Sequence, residues 1–341
     1  MNSAQKELLN LINLNNTFSA EVKSEIESLL KKIDRQVVLD TFKINKLEST
    51  IKTISLLLNQ NIKDIEGKSL EISRQNEIII QQKYFVETKQ KEIIESINYA
   101  KRIQNTILPP SNFLKDFFQD SFILYKPKDI VAGDFYWIEK KEDTLLFAVC
   151  DCTGHGVPGA LVSIVCNNAL NRSVREFNLT KPSKILDKTS EIIIENFSTY
   201  EETISDGMDI SMCAFNLKTK TLEWAGANNP LWIINKKVIT EFKPDKQPIG
   251  KFENSKNFTN NYIQLKNGDT IYLFTDGYAD QFGGKKGKKF KAANFKQLLL
   301  SIQENQMETQ SGIIDTAFDN WKGDLEQVDD VCIMGIQVLA L

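Results

Sequence analysis

The stretch Leu145-Leu146-Phe147-Ala148-Val149-Cys150-Asp151-Cys152-Thr153-Gly154-His155-Gly156-Val157-Pro158-Gly159-Ala160 sets an apolar run of strand length directly before one carboxylate and a glycine-rich turn. Small and apolar residues from Ala160 to about Phe177 then read as a helix. Glycines at 154, 156 and 159 let the backbone turn tightly and approach a ligand closely. The turn also offers its carbonyl oxygens beside the Asp151 carboxylate. Taken alone, the stretch fits an ordinary strand ending at an acidic turn as well as it fits a site.

The same construction recurs. Thr270-Ile271-Tyr272-Leu273-Phe274-Thr275 runs into Asp276-Gly277-Tyr278-Ala279-Asp280, Asp329-Asp330 opens the run Val331 to Ile336, and Gly133-Asp134 precedes Phe135-Tyr136-Trp137. If these strands lie side by side, their acids converge, and carboxylates brought together do not all stay ionised unless cations neutralise them. Oxygen-only donors suit Mg²⁺ or Mn²⁺ rather than zinc, which favours His and Cys.

In this order, Ala132-Gly133-Asp134-Phe135-Tyr136, Asp151-x-x-Gly154-His155-Gly156, Thr275-Asp276-Gly277 and Asp329-Asp330 resemble the metal-dependent protein phosphatases of type 2C (PPM), specifically the SpoIIE-like bacterial branch. The resemblance spans roughly residues 97 to 338. It implies an α+β fold, an α-β-β-α sandwich of two antiparallel sheets flanked by helices, with a binuclear Mg²⁺ or Mn²⁺ site. Carried onto this sequence, Asp151 would bridge both metals, the Cys152 carbonyl would join one, and Asp134, Asp276 and Asp329 would complete the shell directly or through water. Asp209 and Asp280 fall where the family holds a third, weaker metal. The implied activity is hydrolysis of phosphoserine or phosphothreonine on a protein by a metal-bridging water. The implied setting is bacterial partner switching, with an anti-sigma-factor antagonist as the type of substrate.

The whole composition agrees with an intracellular enzyme of this kind. A length of 341 residues with 41% hydrophobic content suffices for one large domain or two modest ones. A formal net charge of -3 gives no general attraction to nucleic acid or an anionic membrane. The cysteines at 150, 152, 166, 213 and 332 sit mostly inside apolar runs and read as buried thiols of a reducing compartment. With neither a signal peptide nor a membrane-spanning run in the sequence, a cytoplasmic location is expected. The single histidine removes Ser-His-Asp chemistry, since no Gly-x-Ser-x-Gly elbow accompanies it, and Gly283 to Lys289 departs from the P-loop spacing.

The first hundred residues are of another kind. Met1 to about Leu14 reads as a short helix, broken at Asn15 to Ser19. From there one heptad position is apolar without interruption: Leu30, Val37, Ile44, Ile51, Leu58, Ile65, Ile72, Ile79, Val86, Ile93, Ala100, Ile107. A seven-residue period this long predicts a coiled coil, either one helix or a hairpin folded near Gly67. The second seam position begins with Ile33, Leu47 and Ile54, then turns polar through Asn61, Lys68, Gln75, Gln82, Lys89 and Ser96. Polar seam residues fix register at a cost in stability, so a homodimer whose packing an upstream partner can alter is expected, with a passive spacer as the alternative. Residues 1–108 are thus read as a helical dimerisation and linker region, and 109–341 as the phosphatase domain. Ser96 to Pro109 resembles the linker helix of the SpoIIE-like branch.

Within the second region, Thr221 to Ala227 and Leu231 to Ile234 read as a hairpin about Asn228-Asn229-Pro230. Gln281 to Lys291 reads as a flexible cationic loop and Tyr200 to Gly207 as a mobile one, while Gln247-Pro248-Ile249-Gly250 stands where the family has a similar Pro-x-Gly loop and otherwise reads as a plain turn. His155 has two readings, a general acid for the leaving alcohol or a hydrogen-bonding prop for its turn. Eukaryotic members of the family use an arginine to hold phosphate near residue 126; this sequence has none there, and Lys126 or Lys128 could take the role or belong to a solvated loop. A catalytically silent coiled-coil scaffold is the alternative from another class, and the retention of every acid counts against it. A sensor histidine kinase is excluded because no histidine lies on the coil.

Overall fold

The computed structural model describes residues 3–110, 112–198 and 206–338. Its contacts divide the chain into two compact units, Met1–Lys89 and Gln90–Leu341. Helix α1 spans Ser3–Leu14, and α2 spans Ala20–Asn105 without a break at Gly67. The segment between them is held by Asn15, whose Oδ1 accepts from the Thr17 amide at 3.0 Å. Along α2 the seam positions from Val37 to Ile93 are exposed, whereas Leu30 before them is buried; Ile44, Ile65 and Ile79 show 55%, 65% and 58% of their surface.

The second unit holds two antiparallel five-stranded sheets. Its strands are β1 (Ser121–Lys126), β2 (Phe135–Lys141), β3 (Thr144–Cys152), β4 (Met208–Asn216), β5 (Leu222–Ala227), β6 (Leu231–Asn235), β7 (Val238–Phe242), β8 (Asn261–Ile263), β9 (Thr270–Phe274), β10 (Phe282–Gly283), β11 (Lys288–Lys289) and β12 (Val331–Gln337). One sheet runs β1-β12-β9-β6-β7, the other β2-β3-β4-β5-β8, and β10-β11 form a separate hairpin. The helices are α3 (Gly156–Arg175), α4 (Pro182–Phe197), the short α5 (Gly277–Asp280), α6 (Ala292–Ser301) and α7 (Met307–Lys322).

Strand periodicity explains why the runs were apolar without alternation. On β3, Leu145, Phe147 and Val149 enter the core between the sheets, facing Ile271, Leu273, Cys332 and Met334. Leu146, Ala148 and Cys150 point the other way, to a core shared with Cys166 and Leu170 of α3 and Ile185 of α4. The first sheet has the same two-faced burial: Tyr272 and Phe274 pack with Phe295 of α6 and Phe318 of α7. Both faces of each sheet are therefore covered, which is the four-layer α-β-β-α sandwich. Each fully buried Leu, Phe or Ile contributes roughly 1.5–3 kcal/mol. All five cysteines are buried and free.

Two local expectations are corrected. β5 and β6 are not a hairpin: β5 pairs with β4 and β8, β6 with β7 and β9, so the chain crosses between sheets at Asn228-Asn229-Pro230. Hydrogen bonds redirect the turn, because the Asn228 amide donates to the Asp245 carbonyl at 3.0 Å and Pro230 has no amide to continue a ladder. The segment from Gln281 is likewise no free loop. It forms the β10-β11 hairpin, and the Gly284 amide donates to the Trp321 carbonyl at 2.8 Å. The part of the Tyr200 to Gly207 loop up to residue 205 lies outside the described residues.

Candidate active site

Strand ends bring the acids together. Asp151 is the penultimate residue of β3 and stands opposite Asp209 of β4 in register. Asp276 follows β9 and starts α5, Asp329 precedes β12, and Asp134 precedes β2. A cavity of about 300 Å³ is lined by Asp151, Cys152, Asp209, Asp276 and Asp329, together with His155 and Lys251. Asp134 is 2% exposed, and its Oδ2 is buried without a hydrogen-bond partner.

Electrostatics show what this convergence costs. Burial, then the neighbouring Asp151 charge, pushes the Asp134 carboxyl well above the usual range. Burial, then Asp276 and Asp329, does the same to Asp151. Asp276 is raised to about 6 by burial and by Asp329 and Asp280, with Lys289 opposing. Burial raises Asp209, and a hydrogen bond from Asn228 at 2.9 Å lowers it. Asp280 is matched instead by Lys289 Nζ at 2.6 Å and is not in the cavity lining.

Close backbone packing holds the turns in place. A Cβ on Gly133 would come 2.3 Å from the Gly154 carbonyl oxygen, and one on Gly159 2.2 Å from the same atom. The Gly154 carbonyl is thus wedged between two glycines, one on the Asp134 turn and one on α3. Asp330, also 2% exposed, accepts from the amides of Lys128 and Gly133, both at 2.7 Å. It is a clamp on the β1-β2 connection; burial raises its carboxyl, and the backbone donors offset that in part. Gln104, 3% exposed near the end of α2, closes the other side. Its Nε2 donates to the Ala132 carbonyl at 2.6 Å and to Ser163 Oγ at 3.0 Å, while its Oε1 accepts from the Ala132 amide at 3.2 Å.

Among the described residues, no group of three or more His, Cys, Asp or Glu side chains is already arranged to hold a metal ion. The donor set nevertheless fits hard cations. It is all oxygen, it carries mutual repulsion, and one of its buried atoms lacks any partner.

Of the basic residues considered, Lys126 is taken up by Asp315 and Asp319 of α7. Lys128 instead has its Nζ 2.9 Å from His155 Nε2. Several further residues line the cavity besides the strand-end acids. Pro248, Ile249 and Gly250 line the cavity because Ile249 bridges to Met208, so that segment is more than a plain turn. Lys251 follows it there, and Thr153 is tied to Gly207 by its amide at 3.0 Å.

Comparison with known proteins places these features. Residues 141–339 match the family model for stage II sporulation protein E, SpoIIE. Phosphoserine phosphatase RsbU of Bacillus subtilis (strain 168) is 25% identical over 202 residues, 56% of this chain and 55% of that protein, so the chain spans about half the length of this curated relative. The SiaA-PP2C domain of Pseudomonas aeruginosa superposes with a TM-score of 0.67 at 30% identity, covering 73% of this chain and 98% of that one. The PP2C phosphatase domain of SpoIIE from Bacillus subtilis, with a fragment of its regulatory domain, shares the fold, with a TM-score of 0.53 at 15% identity over 64% of this chain and 63% of that one.

Proposed function

The chain belongs to the SpoIIE family and carries a PP2C-type serine phosphatase domain; from that premise we propose that it is a Mg²⁺- or Mn²⁺-dependent protein phosphatase acting on phosphoserine or phosphothreonine. The observation that carries the reading is the buried, partnerless Oδ2 of Asp134 beside a cavity walled by Asp151, Asp276 and Asp329. Asp151, Asp276, Asp134, Asp329 and the Cys152 carbonyl would hold two cations. Asp209 faces the same cavity as the better placed donor for a third, since Asp280 already has Lys289. Bound cations supply neutralisation of the phosphoryl charge and a water acidic enough to attack phosphorus. The chain's own part is to fix the donors through Asp330, Gln104 and the glycine contacts, and to serve the departing alcohol from the His155 side. No protein nucleophile is needed.

The finer reading is a phosphoprotein substrate of the partner-switching type, such as an anti-sigma-factor antagonist, with residues 1–108 as a dimerising regulatory region. The exposed heptad seam of α2 supports a second copy of this chain as its partner. Among the described residues no helix is long and apolar enough to cross a membrane.

Hydrolysis of a phosphoserine peptide with Mn²⁺ and with EDTA tests the activity; absence of metal-dependent turnover would sink it. Sedimentation of the full chain tests the coil. Gln75→Leu with Gln82→Leu should tighten the dimer and hold activity at one level, and a wild-type monomer at micromolar concentration would leave α2 a passive spacer.

A further inference from the structure

His155 is not free to act as its residue type suggests. Its Nδ1 lies 3.1 Å from Asp129 Oδ2, and its Nε2 lies 2.9 Å from Lys128 Nζ. An ionised carboxylate only accepts hydrogen bonds and an ammonium only donates them. The two contacts together therefore assign the ring: Nδ1 carries the hydrogen and gives it to Asp129, while the Nε2 lone pair receives one from Lys128. In that arrangement the imidazole has no proton left to offer at the cavity. Lys128 has two further N–H bonds.

The arrangement is built into the backbone. Lys128 and Asp129 are adjacent on the β1-β2 connection, whose position is set by the Lys128 amide donating to Asp330 Oδ1 at 2.7 Å. His155 is the residue before α3 in extended conformation, and Gly156 after it has φ +64°. A Cβ at Gly156 would fall 3.0 Å from Asp129 Oδ2, so glycine there is what lets the carboxylate reach the ring. Lys126, two residues earlier, is held by α7, which leaves Lys128 as the cation of this connection beside a cavity-lining residue.

We propose that Lys128 is the proton donor to the departing seryl or threonyl oxygen, and that His155 and Asp129 are positioning residues that hold its ammonium at the mouth of the acidic cavity. The proposal rests on the phosphatase reading for where the substrate sits. As the P–O bond to the alcohol breaks, its electron pair stays on the alcohol oxygen, which takes one hydrogen of the Lys128 ammonium. The resulting neutral amine keeps an N–H on His155 Nε2 and regains its proton from water once the alcohol has left.

Because the chain has a single histidine, ¹⁵N NMR of imidazole-labelled full-length protein reads this ring without assignment. The wild type should show the Nδ1–H tautomer, and Lys128→Met should keep it, held by Asp129, while the Nε2 resonance moves toward that of a lone pair that accepts no hydrogen bond. Kinetics with Mn²⁺ supply the second arm. Lys128→Met should lower kcat on a phosphoserine peptide by about 10²-fold, the usual range for a lost general acid. On p-nitrophenyl phosphate, whose leaving group scarcely needs a proton, the loss should stay under about 3-fold. Lys128→Arg keeps the charge and the bond to Nε2, yet a guanidinium does not release its proton. It should preserve the tautomer without restoring phosphoserine turnover. His155→Gln, which retains an acceptor for Lys128, should be milder than His155→Leu.

An Nε2–H wild-type ring, equal losses on both substrates, or rescue by Lys128→Arg would each overturn the proposal, the last pointing to a phosphate-binding charge instead. A wild type that hydrolyses neither substrate with Mn²⁺ would sink the phosphatase reading and the donor role with it, whereas an active wild type failing the other criteria would sink the Lys128 role alone.

Discussion

Two turns at the mouth of the sandwich each bury an aspartate to 2% exposure, and they solve the problem of a buried carboxylate in opposite ways. The turn before β12 gives Asp330 backbone donors from Lys128 and Gly133. The turn before β2 leaves Asp134 Oδ2 with no partner and sets Asp151 beside it. A buried acid that is fully hydrogen-bonded maintains the fold; one left unpaired weakens the fold until a ligand arrives. On the proposed reading, the same residue type at the same exposure serves the fold in one turn and a cation in the other, according to the partners its oxygens meet and the charge beside it.

The largest expected effects follow from the unpaired side. Asp151→Asn and Asp134→Asn should each lower phosphopeptide turnover by about three orders of magnitude or more, since cation-based charge stabilisation is worth several kcal/mol. Metal-free stability, measured by urea denaturation in EDTA, should be unchanged or higher in both variants because a repulsive charge is gone. Near wild-type turnover in either would break the assignment.

Asp330 should behave in the reverse sense. Asp330→Ala strands two buried amides and should cost about 3 kcal/mol in the same denaturation. If Asp134→Asn destabilises as much as Asp330→Ala, the distinction between the turns is lost.

How much of this could be read from residues alone depends on which contacts are local. The strands of the two sheets were legible because burial on both faces makes a continuous apolar run, as in Leu145 to Cys150. The strand-end acids were legible as well, since each follows or precedes such a run. Asp329 and Asp330 are neighbours with the same side chain, however, and only the amides of Lys128 and Gly133, distant in sequence, tell them apart. The turn at Asn228-Asn229-Pro230 has hairpin chemistry, yet the Asp245 carbonyl diverts it. Nothing local in Lys128-Asp129 points to His155, because that contact exists only when the turns before β2 and before α3 are stacked.

A pH measurement sharpens the contrast further. Asp276 is raised from 3.8 to about 6, so its protonated form is the one the fold prefers. The stability this group contributes is fully present below its unfolded pKa and is lost as pH rises through about 6. Compared in EDTA, wild type and Asp276→Asn should therefore be nearly equal in stability at about pH 4. The variant should gain an advantage of about 2 kcal/mol by neutral pH, allowing for partial solvent screening. Adding Mn²⁺ at neutral pH should reverse the order, because only the wild type retains the full donor set. A constant difference across the range would mean that neither burial nor the charges of Asp329 and Asp280 raise Asp276.

The smallest effect concerns Gln104, which holds the unpaired turn from behind. Its amide group meets both the carbonyl and the amide of Ala132, two residues before Asp134, and a third bond goes to Ser163 on α3. Gln104→Ala leaves Ala132 unpaired in a buried setting, and should cost about 1–2 kcal/mol of stability. Ser163→Ala removes one bond and leaves the Ala132 pair intact, so it is the matched control. If the clamp serves the acid wall, part of the loss appears as an approximately fivefold rise in the Mn²⁺ concentration for half-maximal binding, equivalent to about 1 kcal/mol. Isothermal titration of Mn²⁺ into both variants separates the possibilities. Gln104→Ala with weaker binding and Ser163→Ala without would place the clamp in service of Asp134. Equal binding in the two, with only the stability of Gln104→Ala reduced, would make Gln104 a splice between the end of α2 and the sandwich, and would leave Asp330 as the residue that sets the turn.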